Sequence, residues 1–248
     1  MNEKGVALWA ERFWRDVGWK EKFPRSLEGP VSWALPLAIV ILPRLGVDDL
    51  RGWLSEYNIA IPCIVPDRLL RACLLATRGR GIVFLDGGDT DAERRLSLAH
   101  EVVHFVEDYL VPRERAQKAI GGNAIEVLDG IRPPTLEERL DGYLKGVRLG
   151  TYIDYMDRTS EGEMSTRALL DAEDRTDRVA LELLAPAGII IRRMEAAGVS
   201  WIKNSAFRIA EQILMDDFGL PVNTADSYGR YLVVRRRGRV SFREWLES

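Results

Sequence analysis

The sequence predicts an α+β fold dominated by helix. Three observations carry this. Apolar residues recur at helical spacing in several long segments. Short β-branched runs cluster before residue 90. Glycine or proline closes most of the helical segments. A chain of 248 residues fits one large domain or two small ones and can bury a sizeable core without staples. With 46% hydrophobic and 29% charged residues it has an ordinary globular composition, and a net charge of -3 gives no basis for general nucleic-acid or membrane binding. Two cysteines, Cys63 and Cys73, are too few for a disulfide framework and are spaced for no zinc ribbon. They read as reduced packing thiols of a cytoplasmic protein. The charged N-terminus (Glu3, Glu11, Arg12, Arg15, Asp16) is no signal peptide. The longest apolar run, Val31 to Leu42, is cut by Pro36 and is too short to span a bilayer.

In chain order, Val6, Trp9, Phe13 and Val17 form one helical stripe over residues 4 to 17. A loop with Gly29 and Pro30 follows, then a buried helical or extended segment at 31 to 42. A short helix opens at Asp48 and Asp49 and runs through Trp53 and Leu54. Ile59 to Val65 reads as an edge strand because of Pro62, and Gly81 to Asp86 as a better strand bounded by glycines. Thr90 and Asp91 can cap the next helix. After it come a short helix ended by the glycines at 121 and 122, and a capping-box pattern at Thr135 and Glu138. A strong helix then stops at Pro186 and another stops at Gly219. Two short strands around Gly238 and a last helical turn complete the chain. This order divides the chain into an N-terminal helical segment (1–57), a core (58–190) with a helical insertion at 111–165, and a helical tail (191–248) with a short β-hairpin.

The stretch LAHEVVHFVEDY holds both histidines of the chain. His100 and His104, four residues apart, share one helical face and can reach one ion at about 2.0–2.1 Å. Glu101, beside the first of them, can face a water molecule without being a ligand. This is the H-E-x-x-H arrangement of zinc peptidases, in which the metal acidifies water and the glutamate takes its proton. The same five residues also read as two histidines that merely share a helix face. The apolar neighbours Leu96, Leu98, Ala99, Val102, Phe105 and Val106 favour the metal, because buried imidazoles need polar partners. Zinc needs a third protein ligand, and a carboxylate must supply it. Glu173 and Asp177, again four apart, can serve as ligand and as hydrogen-bond acceptor for a ligand histidine; they also read as solvated acids paired with Arg175 and Arg178. Tyr143, Tyr152, Tyr155 and Tyr228 are candidate oxyanion donors, and each reads more readily as a packing residue.

The pairing of RRLSLAHEVVHF with a later E-x-x-x-D-x-x-A-x-x-LL-x-P resembles the ImmA/IrrE family of zinc metallopeptidases. The first motif is carried by Arg95, Leu96, Ser97, Leu98, Ala99, His100, Glu101 and His104. The second is carried by Glu173, Asp177, Ala180, Leu183, Leu184 and Pro186, with Thr176 and Val179 departing from the family pattern. Val103 and Ala185 also depart, and 68 residues separate His104 from Glu173. The resemblance spans roughly residues 35 to 190. It implies a zincin-like metallopeptidase core in which a small sheet packs on the motif helices. It also implies zinc held by His100, His104 and Glu173, Glu101 as the base, and a protein substrate such as a helix-turn-helix repressor. A second reading is a regulatory binding module with a structural or vestigial metal site. The arginine run Arg235 to Arg239 could meet DNA phosphates or form a solvated hairpin face, and direct nucleic-acid binding is not the expectation.

Overall fold

The computed structural model describes residues 3–18, 22–59, 65–120, 123–136, 138–139, 151–158 and 175–238. The fold is α+β, and the chain divides into two compact units: residues 27–158, and residues 1–26 together with 159–248.

The first of these units carries all four described strands. Helix α2 (Glu28–Ala34) leads into β1 (Leu37–Leu42), and α3 (Val47–Glu56) follows. Next come β2 (Leu70–Thr77), β3 (Arg80–Asp86) and α4 (Asp91–His104). The helix continues as a π-helical turn, Phe105–Leu110, then as α5 (Val111–Ile120) and α6 (Asn123–Leu128); β4 (Tyr152–Asp157) completes the unit. The sheet order is β1-β3-β2-β4, with β1 parallel to β3 and the other pairs antiparallel. Arg78 and Gly79, at φ of 50° and 75°, join β2 to β3. Positive φ at both central residues matches the right-handed twist of a hairpin. The Gly79 N–H donates to Tyr109 Oη at 2.7 Å, so the π-helical turn holds this hairpin tip.

The sheet's alternation assigns its two faces. Cys73, Leu75 and Phe84 pack with Leu50 and Leu54 of α3 in one core, joined by Ile153 and Tyr155. On the other face Leu74, Val83 and Asp154 stand in register, as do Ala76, Gly81 and Tyr152. Helix α4 packs across this second face, against β2, β3 and β4. A Cβ on Gly81 would lie 2.6 Å from Leu37 Cδ1 and 2.7 Å from Phe105 Cε2, so glycine is what lets the Phe105 ring reach the sheet.

The other unit is helical in its described residues: α1 (Glu3–Val17), α7 (Arg175–Leu184), α8 (Ala187–Ala196), α9 (Ser205–Asp216) and α10 (Val222–Arg237). The buried Trp14 Nε1 and Arg25 Nη1 both donate to the Leu183 carbonyl, at 3.0 and 2.7 Å, satisfying an end carbonyl of α7 and tying α1 to it. No helix of the described residues is long and apolar enough to cross a membrane.

Several expectations change. The Gly29–Pro30 loop is helical, with Pro30 in the first turn of α2, where a missing N–H is harmless. The run from Val31 to Leu42 is both helix and strand, broken at Leu35 and Pro36. Gly81 to Asp86 is a strand as expected, lying between β1 and β2. The C-terminal hairpin is corrected on its N-terminal side. Residues 222–237 form one helix, because Ala225, Tyr228 with Gly229, and Leu232 with Val233 are buried at helical spacing. Gly229 lets α10 approach α9, since a Cβ there would sit 3.2 Å from Ala210 Cβ. Most of the expected strand Ile59 to Val65, most of the 111–165 insertion beyond α6, and the second hairpin strand lie outside the described residues.

Gly81→Ala is expected to lower stability by about 1–3 kcal/mol, the usual range for overpacking a filled core. Urea denaturation reads this directly, and an unchanged midpoint would mean that Phe105 does not rest on the sheet.

Candidate metal centre

Helix α4 is positioned from both ends. At its start Thr90 and Glu93 form the expected capping box: the Glu93 N–H donates to Thr90 Oγ1 at 3.3 Å, and the Thr90 N–H donates to Glu93 Oε2 at 2.9 Å. Arg71 of β2 reaches Glu93 at 3.4 Å. Arg158, just past β4, joins Asp86 and Asp89 of the β3–α4 connection. These ion pairs fix the helix start to the strands on either side of it. From Leu96 to Val103 every residue of α4 is buried.

Within that buried stretch the imidazoles of His100 and His104 converge. Their Nε2 atoms are 3.0 Å apart, and the rings meet edge to face at 4.7 Å between centroids. Two nitrogens bound to one ion at about 2.0–2.1 Å in a tetrahedral arrangement lie about 3.3 Å apart, so the observed pair is close to a ligand pair. Asp154, on the α4-facing side of β4, brings a carboxylate oxygen to 3.8 Å from His104 Nε2. The three donor atoms of His100, His104 and Asp154 lie within 4.8 Å of one another. On the other edge of the His104 ring, Nδ1 lies 2.6 Å from Asp108 Oδ2. That carboxylate holds the proton on Nδ1 and leaves the Nε2 lone pair for a ligand role. Tyr152 Oη is 3.4 Å from the same Nδ1, so this tyrosine supports the ring on its Asp108 side.

Glu101 is fully buried, and neither carboxylate oxygen has a hydrogen-bond partner among the described residues. Burial pushes its pKa well above the ordinary glutamate range, and the nearby Asp154 charge adds to the rise. The donor set fits a divalent cation: two imidazole nitrogens, a carboxylate in range, and an orphaned buried carboxyl beside them.

Of the residues expected from sequence, His100, Glu101 and His104 come together on α4. Glu173 and Tyr143 lie outside the described residues. Asp177 is buried on α7, in the helical unit. Tyr155 faces the α3 core and lies under the Arg68 guanidinium, and Tyr228 is buried in the helical unit. Asp108 and Asp154 were missed. Asp108 had a legible signal, since it stands four residues after His104 and shares its helix face. Asp154 had a weaker one: YIDYMD alternates, with Tyr152, Asp154 and Met156 on one side. No family model matches the chain, and no curated protein or solved structure matches it. The ImmA/IrrE resemblance therefore rests on the motif residues themselves.

A carboxyl whose pKa is raised on folding binds more protons in the folded state, so its contribution to stability is full at low pH and is lost as pH rises. For the metal-free protein in chelator, raising the pH above the unfolded glutamate value of about 4.3 should therefore lower stability, by up to about 1.4 kcal/mol per pH unit from this group. Glu101→Gln should remove that slope. Parallel denaturation curves for the two proteins at every pH would show that Glu101 ionises freely.

Proposed function

We propose that the chain is a zinc-dependent endopeptidase of the cytoplasm with a zincin-like core. The observation that carries this reading is the convergence of the His100 and His104 Nε2 atoms beside the buried Glu101 carboxyl, which has no hydrogen-bond partner among the described residues. A histidine pair alone is compatible with a structural metal. A buried carboxyl beside that pair, with no hydrogen-bond partner among the described residues, has a clear chemical use.

His100 and His104 would hold the ion together with a carboxylate. Asp154 is the carboxylate that the described geometry brings into range, and Glu173 is the one the family resemblance implies. A bound zinc ion supplies Lewis acidity, acidifying a water molecule and polarising a peptide carbonyl. Glu101 takes the proton of the attacking water and delivers it to the leaving amine. Burial makes its carboxylate a stronger base than an exposed glutamate, which suits proton abstraction. Asp108 keeps His104 in the tautomer with a free Nε2, and Tyr152 steadies the ring. His₂-carboxylate sites accept several divalent ions, and zinc is chosen here on the motif.

The substrate is a protein partner, and the family resemblance points to a helix-turn-helix repressor. The arginine run lends no support to a DNA-binding role. Arg236 pairs with Glu195 at 3.0 Å, and Arg237 donates to the carbonyls of Trp201, Ile202 and Lys203. Those guanidinium groups are engaged within the helical unit.

The purified protein should carry about one zinc per chain by elemental analysis. Glu101→Gln should keep the metal and lose cleavage of a cognate repressor, by a factor on the order of 100 or more. Retained cleavage would sink the mechanism, and metal without any proteolysis in the wild type would indicate a structural site. Asp154→Asn and Glu173→Gln, compared for metal content, assign the third ligand: the true one loses most of its zinc, and loss in neither removes the three-ligand site.

A further inference from the structure

The two outer strands of the sheet are built differently. β4, which brings Asp154 to the candidate metal centre, also carries Asp157, paired with Arg68. It meets β2 through a shift of register between Leu70 and Ala72. Charges and bulges are the usual devices that keep a sheet edge from pairing with another chain. β1, at the opposite edge, has neither. Its sequence, LAIVIL, is wholly apolar, and no charged residue stands between Glu28 and Arg44.

The ladder fixes which backbone groups β1 turns outward. The Pro36 and Leu42 carbonyls accept from the Gly81 and Gly87 N–H groups, so the even-numbered residues of β1 bond toward β3. The N–H and C=O groups of Ile39 and Ile41, and the Leu37 C=O, point away from the sheet. The Leu37 N–H is taken by the Leu35 carbonyl at 2.8 Å. Neither the Ile39 nor the Ile41 N–H has a backbone acceptor among the described residues. Apolar surface gathers at the two ends of the same strand. Ala34, Pro36, Ala38 and Pro43 are exposed, Trp33 is 88% exposed and Ile41 49%.

We propose that β1 is a dimerisation edge, pairing antiparallel with β1 of a second copy of this chain across a two-fold axis. With the axis at Ile39, the Ile39 N–H donates to the Ile39 carbonyl of the second copy, and the Ile41 N–H donates to its Leu37 carbonyl. Both outward N–H groups of each copy then find acceptors. The occupant is a copy because the surface is complementary to itself. A two-fold contact sets each residue beside its own symmetry mate, so a charged strand would repel its copy, and β1 brings no charge. The flanking charges, Glu28 before the apolar run and Arg44 after it, are opposite in sign. Antiparallel pairing sets the chain entering β1 of one copy beside the chain leaving β1 of the other. β3 and β2 stand between this edge and β4, so pairing leaves Asp154 and the histidines uncovered.

The test is sedimentation velocity of the full chain over a wide range of concentration, joined to hydrogen exchange of the β1 amides. A reversible dimer is expected, with the Ile39 and Ile41 amides protected in the dimer and exposed on dilution. Ile41→Lys should weaken the dimer at least about tenfold, because pairing would bury an unpaired ammonium. Ile41→Pro should weaken it about tenfold or more, since it removes a symmetric pair of hydrogen bonds and no bond to β3. Leu8→Lys, the same change at an exposed position of α1, should leave the dimer intact. Circular dichroism establishes that each variant is folded; if Ile41→Pro is not, Ile41→Lys and the exchange data carry the test. A chain that stays monomeric overturns the proposal, including a monomer whose β1 amides are protected by another segment of the same chain. So does a dimer that folded Ile41→Lys leaves intact, or one in which the Ile39 and Ile41 amides exchange as fast as in the monomer.

Discussion

A carboxyl group moved from water into an apolar interior, with no hydrogen bond to receive it, destabilises a fold by several kcal/mol or stays protonated. Glu101 is such a group among the described residues, in the last turns of α4. The surrounding features make sense as the framework that tolerates it. The capping box and the Arg71–Glu93 contact hold the start of α4. The Arg158 pairs with Asp86 and Asp89 hold the loop before it. Phe105 locks the helix end to the sheet through Gly81. A helix this firmly held cannot rotate to bring Glu101 to solvent, so the penalty remains in the folded state unless a positive charge is placed beside the carboxyl.

The two histidines are the route by which such a charge would enter. Exposure rises from the sealed Glu101 through the half-buried His104 to the exposed Asp108, so the site grades from dry to wet over about two turns of helix. In the proposed peptidase that gradient would serve proton transfer, because the Glu101 carboxyl sits in the dry part and Asp108, which orients His104, sits in the wet part. It also separates two functions of acidic residues that composition alone treats as equivalent. Asp108 is solvent-exposed and lies beside a ring nitrogen of His104. Glu101 is useful because it is not solvated.

Much of the helical part of this architecture was legible in the sequence, because helical periodicity and capping are local. The stripe of α1, the cap at Thr90, the start of α3 and the stop at Gly219 all depend on residues within a few positions of one another. What escaped was set by distant contacts. The hairpin between β2 and β3 turns on Arg78 at positive φ, where glycine or asparagine is the usual signal. The helix at 222–237 holds valine, tyrosine and glycine in an order that reads locally as strand, and its packing on α9 through Gly229 decides otherwise. The site divides in the same way. The three residues of the local motif share α4, whereas Asp154 reaches them only because β4 pairs with β2.

The π-helical turn between His104 and α5 has a mechanical meaning. Its hydrogen bonds span one residue more than those of an α-helix, as in Val111 N–H to Val106 O, so each residue in it advances less about the axis. The rod runs on while its angular phase slips. Upstream, the phase is set so that the imidazoles face Asp154; within the turn Tyr109 meets the Gly79 amide, and downstream α5 takes up a new facing. One continuous helix thus serves two surfaces whose orientations a uniform α-helix of the same length could not satisfy together. The histidines are free to be aimed by chemistry while the remainder of the helix is aimed by packing.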